Sequence, residues 1–453
     1  MSENRPSVPL SLPAARRLLA PALLTMLLVW PGRTQEPVPP PTPAPVPAPT
    51  PEQVTPPPAS ERPERQGPER QGPGRRRGQG REQQSQELPE FTPVAAPSPL
   101  GLLGKQYFWF TMYPDLLVQF DPVTDTVTKK VKLQGGMFWS SSLTHDRKRI
   151  LVVTDQQQAI EVVDLAEGAV LATHPFKEDG VTLRIRDVRE CPGGVHWFVR
   201  TERVKKEIDR YSFEPSQWLL YDSANKKIVR KSPRLPEAIE RNAQLSADGA
   251  GWVTRDDDGN VLFLDARKFT ETGRIDLRTP RFFGAGALRL SGTDLLDGRD
   301  PNRALMLFTS QDPVEKGRTC WGMVELDLQK KLVVDVQEWG PQVTAFGLRV
   351  APKKLVAAAM TGSFGGGGGG GGGGERDNRA RLLLYDLKNG QKLAEAYEEF
   401  RPRRSLVAIS PDADKLYIGT AGSDFEVFDA QCKRMKTVEL EGEVVGRIYV
   451  VDG

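Results

Sequence analysis

Seven short apolar segments, each closing on an aspartate, recur along this 453-residue chain: LLVQFD at Asp121, AIEVVD at Asp164, WLLYD at Asp222, VLFLD at Asp265, MVELD at Asp327, RLLLYD at Asp386 and FEVFD at Asp429. Successive aspartates are 43, 58, 43, 62, 59 and 43 residues apart. Three equal intervals among longer ones describe one unit carrying insertions, and a fixed period of this length belongs to repeat architectures. Each aspartate stands at a strand end before a turn sequence, where a short carboxylate accepts hydrogen bonds from turn N–H groups. That role is structural.

The cleanest copy, residues 405–440, shows what the unit is. Four runs of β-branched and aromatic residues alternate with Pro-Asp, Gly-Ser-Asp and Gln-Cys turn clusters. Four strands in some forty residues form one blade, and a blade cannot bury both faces without neighbours. The first unit has only three strands (107–111, 116–120 and 126–133), preceded by Pro-rich chain. A spare strand, GRIYVV at 446–451, follows the last unit. Joining the two ends removes two exposed sheet edges. The predicted fold is all-β: a seven-bladed β-propeller of four-stranded antiparallel blades, closed by the C-terminal strand.

The segments LVAISPDADKLYIGTAGSDFEVFD and AQLSADGAGWVTRDDDGNVLFLD resemble the repeats of WD-repeat and YVTN-type seven-bladed propellers. The resemblance covers about 106–453 in degenerate form. None of the seven aspartates is preceded by Trp, and the Gly-His pair of WD repeats is missing. It implies a superfamily whose members mostly bind proteins or small ligands, with a minority of enzymes, and fold likeness alone assigns no function.

Three regions are expected. Residues 1–34 read as a signal peptide or a short N-terminal anchor: Arg16 and Arg17 precede an apolar run at 18–30 that is short for a bilayer-spanning helix. The site for cleavage lacks an Ala-x-Ala form, so both readings stand. Residues 35–103 form a Pro-rich and then Arg/Gly-rich linker; 36–99 hold half of the chain's 38 prolines. Such a composition buries too little apolar surface to offset ordering, so disorder is expected. Its arginines could touch an anionic polymer, but no aromatic residue interleaves with the arginines of 61–82 to stack on a base, and a solvated spacer is the favoured reading. Residues 104–453 are the propeller. A formal charge of +3 gives no reason to expect specific nucleic-acid binding, and no transmembrane segment is expected beyond that N-terminal run. The chain is expected to be exported, to the periplasm, cell surface or medium, as a monomer. Cys191, Cys320 and Cys432 fall in three different units and read as unpaired thiols.

The extra residues of the long units fall between the second and third strands, in loops at 201–216, 310–318 and 362–379. In a propeller those hairpins share one face. Val204, Ile208 and Tyr211 are spaced as on one side of a short helix. The third loop contains ten consecutive glycines, 365–374. A further insertion, 292–302, lies on the opposite face.

Catalytic signatures are sparse. His145, His174 and His196 have no ligand spacing, and neither a nucleophile elbow nor a metal constellation is present, so no metal or other cofactor is expected. Asp256–Asn260 fits a tight turn better than a calcium loop. Aligned on the first turn of each unit, Arg189, Arg289 and Arg349 take the same place in the first strand, beside the central channel. They are candidate ligands for a carboxylate or phosphate, against the alternative that each pairs with a carboxylate between blades. The resulting expectation is an exported, non-catalytic propeller that recognises a protein or small anionic ligand through the long-loop face or channel mouth. The alternative is a lactonase-like or quinoprotein-like enzyme with its site at the channel.

Overall fold

The computed structural model describes residues 104–134, 140–178, 180–233, 235–236, 239, 243–246, 249–291, 300, 302–341, 345–351, 353–361, 380–398, 406–419 and 422–453. The predicted leader and linker, the polyglycine stretch and most of the 292–302 insertion lie outside them.

Seven antiparallel sheets follow one another along the chain, six with four strands and one with five. Ring closure is as the sequence predicts. Val444–Asp452 pairs with Gln106–Met112, from Gln106 opposite Asp452 to Met112 opposite Val444. That makes the C-terminal strand the inner strand of blade 1, ahead of Gln106–Met112, Leu116–Asp121 and Thr126–Lys132. The inner strands of the remaining blades are Ser141–Leu143, Thr182–Glu190, Gln244–Leu245, Arg289–Ser291, Ala345–Val350 and Leu406–Ile409.

The repeated aspartates act as their position suggests. Each of the seven accepts at least one backbone N–H from its own turn, for example Ala166 and Glu167 on Asp164, and Gln431 and Lys433 on Asp429. The second and third strands are the most deeply buried. They carry apolar side chains on both faces because each sheet is covered by a neighbour on either side. The core is therefore a ring of inter-blade clusters, such as Phe108, Phe110 and Phe120 of blade 1 against Tyr417 and Phe425 of blade 7. Cys191, Cys320 and Cys432 are buried and unpaired within this core, and burial raises the pKa of each thiol.

Strand parity fixes two faces. Hairpins between second and third strands, and the connections from outer strand to next inner strand, emerge on one face; the other hairpins emerge on the opposite one.

Candidate functional site

The long-loop face differs from expectation at blade 3. Residues 201–216 form no helix. The second strand of the blade runs unbroken from His196 to Lys206 and folds back through Ile208 and Asp209 into a fifth strand, Tyr211–Phe213. The inner strand, Thr182–Glu190, extends alongside, with Thr182 opposite Val204. The reason is pairing. A strand on one side of Val204 and a return strand on the other satisfy the backbone of the segment, and Pro215 ends the local helical possibility. Val204 is buried between them, whereas Ile208, Tyr211 and Phe213 point to solvent.

Ion pairs strap this arm to the blade. Arg203 bonds Glu178 on the preceding connection and Glu214 at 3.3 Å, Arg186 bonds Glu202, and Arg210 bonds Glu207 at 2.8 Å. The Arg210 guanidinium and the Ser212 hydroxyl hold the Glu207 carboxyl below its usual range.

Blades 4 and 5 add a second projection on the same face. The connection 276–288 begins with Asp276, which accepts the Arg278 N–H and the Thr279 hydroxyl. It is anchored again where the Gly286 N–H donates to Ser310 Oγ and the Leu288 N–H to the Leu277 carbonyl. Phe282 packs into the core against Phe308, and its neighbour Phe283 is 94% exposed. Gly284, at φ +79°, lies against Asp312 and Arg318 of the blade 5 hairpin, where a β-carbon would be 3.3 Å from both side chains. In that hairpin the long second and third strands, Arg303–Gln311 and Thr319–Asp327, absorb most of the inserted length. The turn is pinned by Asp312, whose carboxylate accepts the N–H groups of Val314 and Glu315; these bonds lower its pKa. Val314 stands at the turn, 87% exposed.

The channel arginines occupy two levels. Arg189 pairs with Phe198 and Arg349 with Ala358, and each of those partners faces a leucine two residues before the closing aspartate of its blade. Arg289 pairs with Thr309, which faces Trp321, six residues before Asp327. Four residues of strand separate the levels, about 13 Å. The equivalence drawn from the turns does not hold at blade 5, where Arg289–Ser291 pairs with residues 307–309, further along the second strand than in blades 3 and 6. The contacts differ as well. Arg189 Nη2 lies 3.0 Å from Asp187 Oδ2, and Ser140 Oγ lies 3.5 Å from Asp187 Oδ1. Arg349 donates to the Leu348 carbonyl at 2.8 Å, and Arg289 is exposed. Further along the wall, the Ser141 and Tyr449 hydroxyls are 2.9 Å apart. Burial raises the Glu190 carboxyl, which accepts the His145 N–H at 2.7 Å.

Among the described residues, no group of three or more His, Cys, Asp or Glu side chains is placed to hold a metal ion. Asp256 is engaged in its turn, accepting both the N–H and the side-chain amide of Asn260. Neither Phe283, Val314 nor Asp187 was singled out by motif. A Phe pair inside a Pro- and Gly-flanked connection, and an Asp two residues before Arg189, were the signals available.

No protein-family model matches the chain, and no curated protein sequence does. Solved structures resemble it in fold alone. A functionally unknown protein from Desulfotomaculum acetoxidans DSM 771 is 14% identical with a TM-score of 0.46, over 76% of this chain and 99% of that one. The dihydro-heme d1 dehydrogenase NirN, in complex with DHE, is 14% identical with a TM-score of 0.45, over 79% and 77%. A chain of the mitotic checkpoint complex is 13% identical with a TM-score of 0.40, over 80% and 96%.

Proposed function

We propose that this chain is an exported binding module that recognises a protein partner through the long-loop face. The observation that carries the reading is the set of large apolar side chains held outward there by pinned loops: Ile208 on the blade 3 arm, Phe283 before blade 5 and Val314 within it. Single exposed apolar residues are ordinary, but several on one face, each backed by hydrogen-bonded turns, suit the anchor residues of an interface. The mixed charges around them, Glu202, Arg203, Glu207 and Arg210, supply a polar rim. The export part of the reading rests on the sequence of residues 1–34.

The test is capture by photo-crosslinking from extracts of the source cell with three forms of the chain. One is native, one carries Phe283→Glu with Val314→Glu, and one carries Arg189→Gln with Arg349→Gln. A specific partner held by the native chain and the arginine variant, but lost by the face variant, is the expected result. Retention by the face variant with loss in the arginine variant would move recognition to the channel and overturn this assignment.

A further inference from the structure

The blade 3 arm ends in an open sheet edge. Within the hairpin, the Glu207 N–H donates to the Arg210 carbonyl and the Glu214 N–H to the Arg203 carbonyl. Antiparallel pairs alternate, so between these two Ser212 exchanges bonds with Lys205, and Tyr211 and Phe213 direct their N–H and C=O groups away from the second strand. Among the described residues no strand pairs with that side of Tyr211–Phe213. Edges of this kind accept a further strand.

The sequence along the edge is complementary to itself. It reads Arg210-Tyr211-Ser212-Phe213-Glu214. Laid antiparallel to its own copy with Ser212 opposite Ser212, it sets Tyr211 opposite Phe213 and Arg210 opposite Glu214, twice each. The alignment also satisfies the hydrogen bonding, because Tyr211 and Phe213 are the residues with outward backbone groups and they face each other. Moving the copies by two residues keeps that parity but sets Arg210 or Glu214 opposite Ser212 and loses both charge pairs. Opposite charges and aromatic pairs across a ladder are stabilising, and like charges directly opposite are not.

We propose that two copies of this chain join through this edge, Tyr211–Phe213 of each running antiparallel to the other about a two-fold axis at Ser212. The contact is isologous and closes at two copies. It is small, and the pair is correspondingly weak and concentration-dependent. The inference stands apart from the partner reading above: it uses the main-chain edge of the arm, and Phe283→Glu should leave the pair intact.

Charge reversal provides the test, read by sedimentation equilibrium. Arg210→Glu sets glutamate opposite glutamate, and Glu214→Arg sets arginine opposite arginine, so each variant alone should weaken the pair at least about tenfold. Mixing the two variants sets opposite charges at both positions and should restore it. Arg210→Glu with Glu214→Arg in one chain should also restore it. Were the arm's internal pairs with Glu207 and Arg203 responsible instead, the double reversal would be worse than either single change. A second variant avoids dependence on charge. Ser212→Cys places two thiols at a directly opposed, non-hydrogen-bonded pair, where Cα atoms lie about 4.5 Å apart, within disulfide range. Mild oxidation should give a covalent pair, and Lys206→Cys on the inner strand of the hairpin should not. A native chain that remains monomeric at its solubility limit overturns the proposal, as does a pair that both single reversals leave unchanged.

Discussion

The seam between blades 7 and 1 and the face raised by blades 3 and 5 use similar residue types to opposite ends. At the seam, Phe110 meets Phe425 edge-on at 5.1 Å, and Tyr417 meets Phe108 at 5.3 Å and Phe120 at 5.5 Å. The polar group among them is fully engaged. Asp125 accepts Tyr417 Oη at 2.6 Å and the ammonium groups of Lys415 and Lys436 at 2.8 Å each. Burial works against the charge on Asp125, yet Lys415, Lys436 and Tyr417 outweigh it and hold its carboxyl below the usual range. The same burial, with the adjoining carboxylate, pushes the Tyr417 hydroxyl upward. On the long-loop face, Ile208, Tyr211, Phe213 and Phe283 have no such cover, and the ion pairs that strap the arm are half in water. Aromatic residues packed on both sides close a ring; aromatic residues packed on one side remain available to something else.

The comparison breaks first, and most severely, at the closing strand. Deleting residues 444–453 removes seven paired positions and the buried Val444, Val445 and Val451. A loss above about 4 kcal/mol is expected, seen as a collapsed or non-cooperative melt. A Tm close to that of the full chain would show that the ring does not depend on this strand.

Asp125→Asn is the next largest. It keeps the shape but leaves Lys415 without its buried counter-charge, and should cost about 2 kcal/mol at neutral pH. The sign of the pH dependence follows from the depressed carboxyl. Because Asp125 is more acidic folded than unfolded, its contribution is present above the unfolded value, about pH 4, and is lost as pH falls through the folded value. The Tm difference between native and Asp125→Asn should therefore shrink as pH drops below about 4. A difference that is constant with pH would mean the carboxylate is not what Tyr417 and the lysines hold.

Smallest in stability are the face residues. Phe283→Ser and Val314→Ser should each change stability by less than about 0.5 kcal/mol in chemical denaturation. A larger loss would show that these side chains are covered in solution, and would erase the contrast with the seam.

The recurrence of the aspartate-ended strands was enough to determine seven blades and the turn role of those aspartates, because each is a local property repeated along the chain; ring closure followed from a strand missing in the first unit and a spare one after the last. Pairing and register were decided elsewhere. Val204, Ile208 and Tyr211 fit a helical spacing on their own. Only the lengthened inner strand beside them, with a return strand opposite, made a hairpin the better way to satisfy their backbone groups. Arg289 matched Arg189 and Arg349 when counted from its turn, and only the ladder with Thr309 showed it four residues further along the blade. Exposure of Phe283 beside the partly buried Phe282 was likewise a matter of which side the core lay on. A sequence specifies which strands recur; where one strand lies along its neighbour depends on contacts between segments far apart in the chain, and those exist only once the sheets have formed.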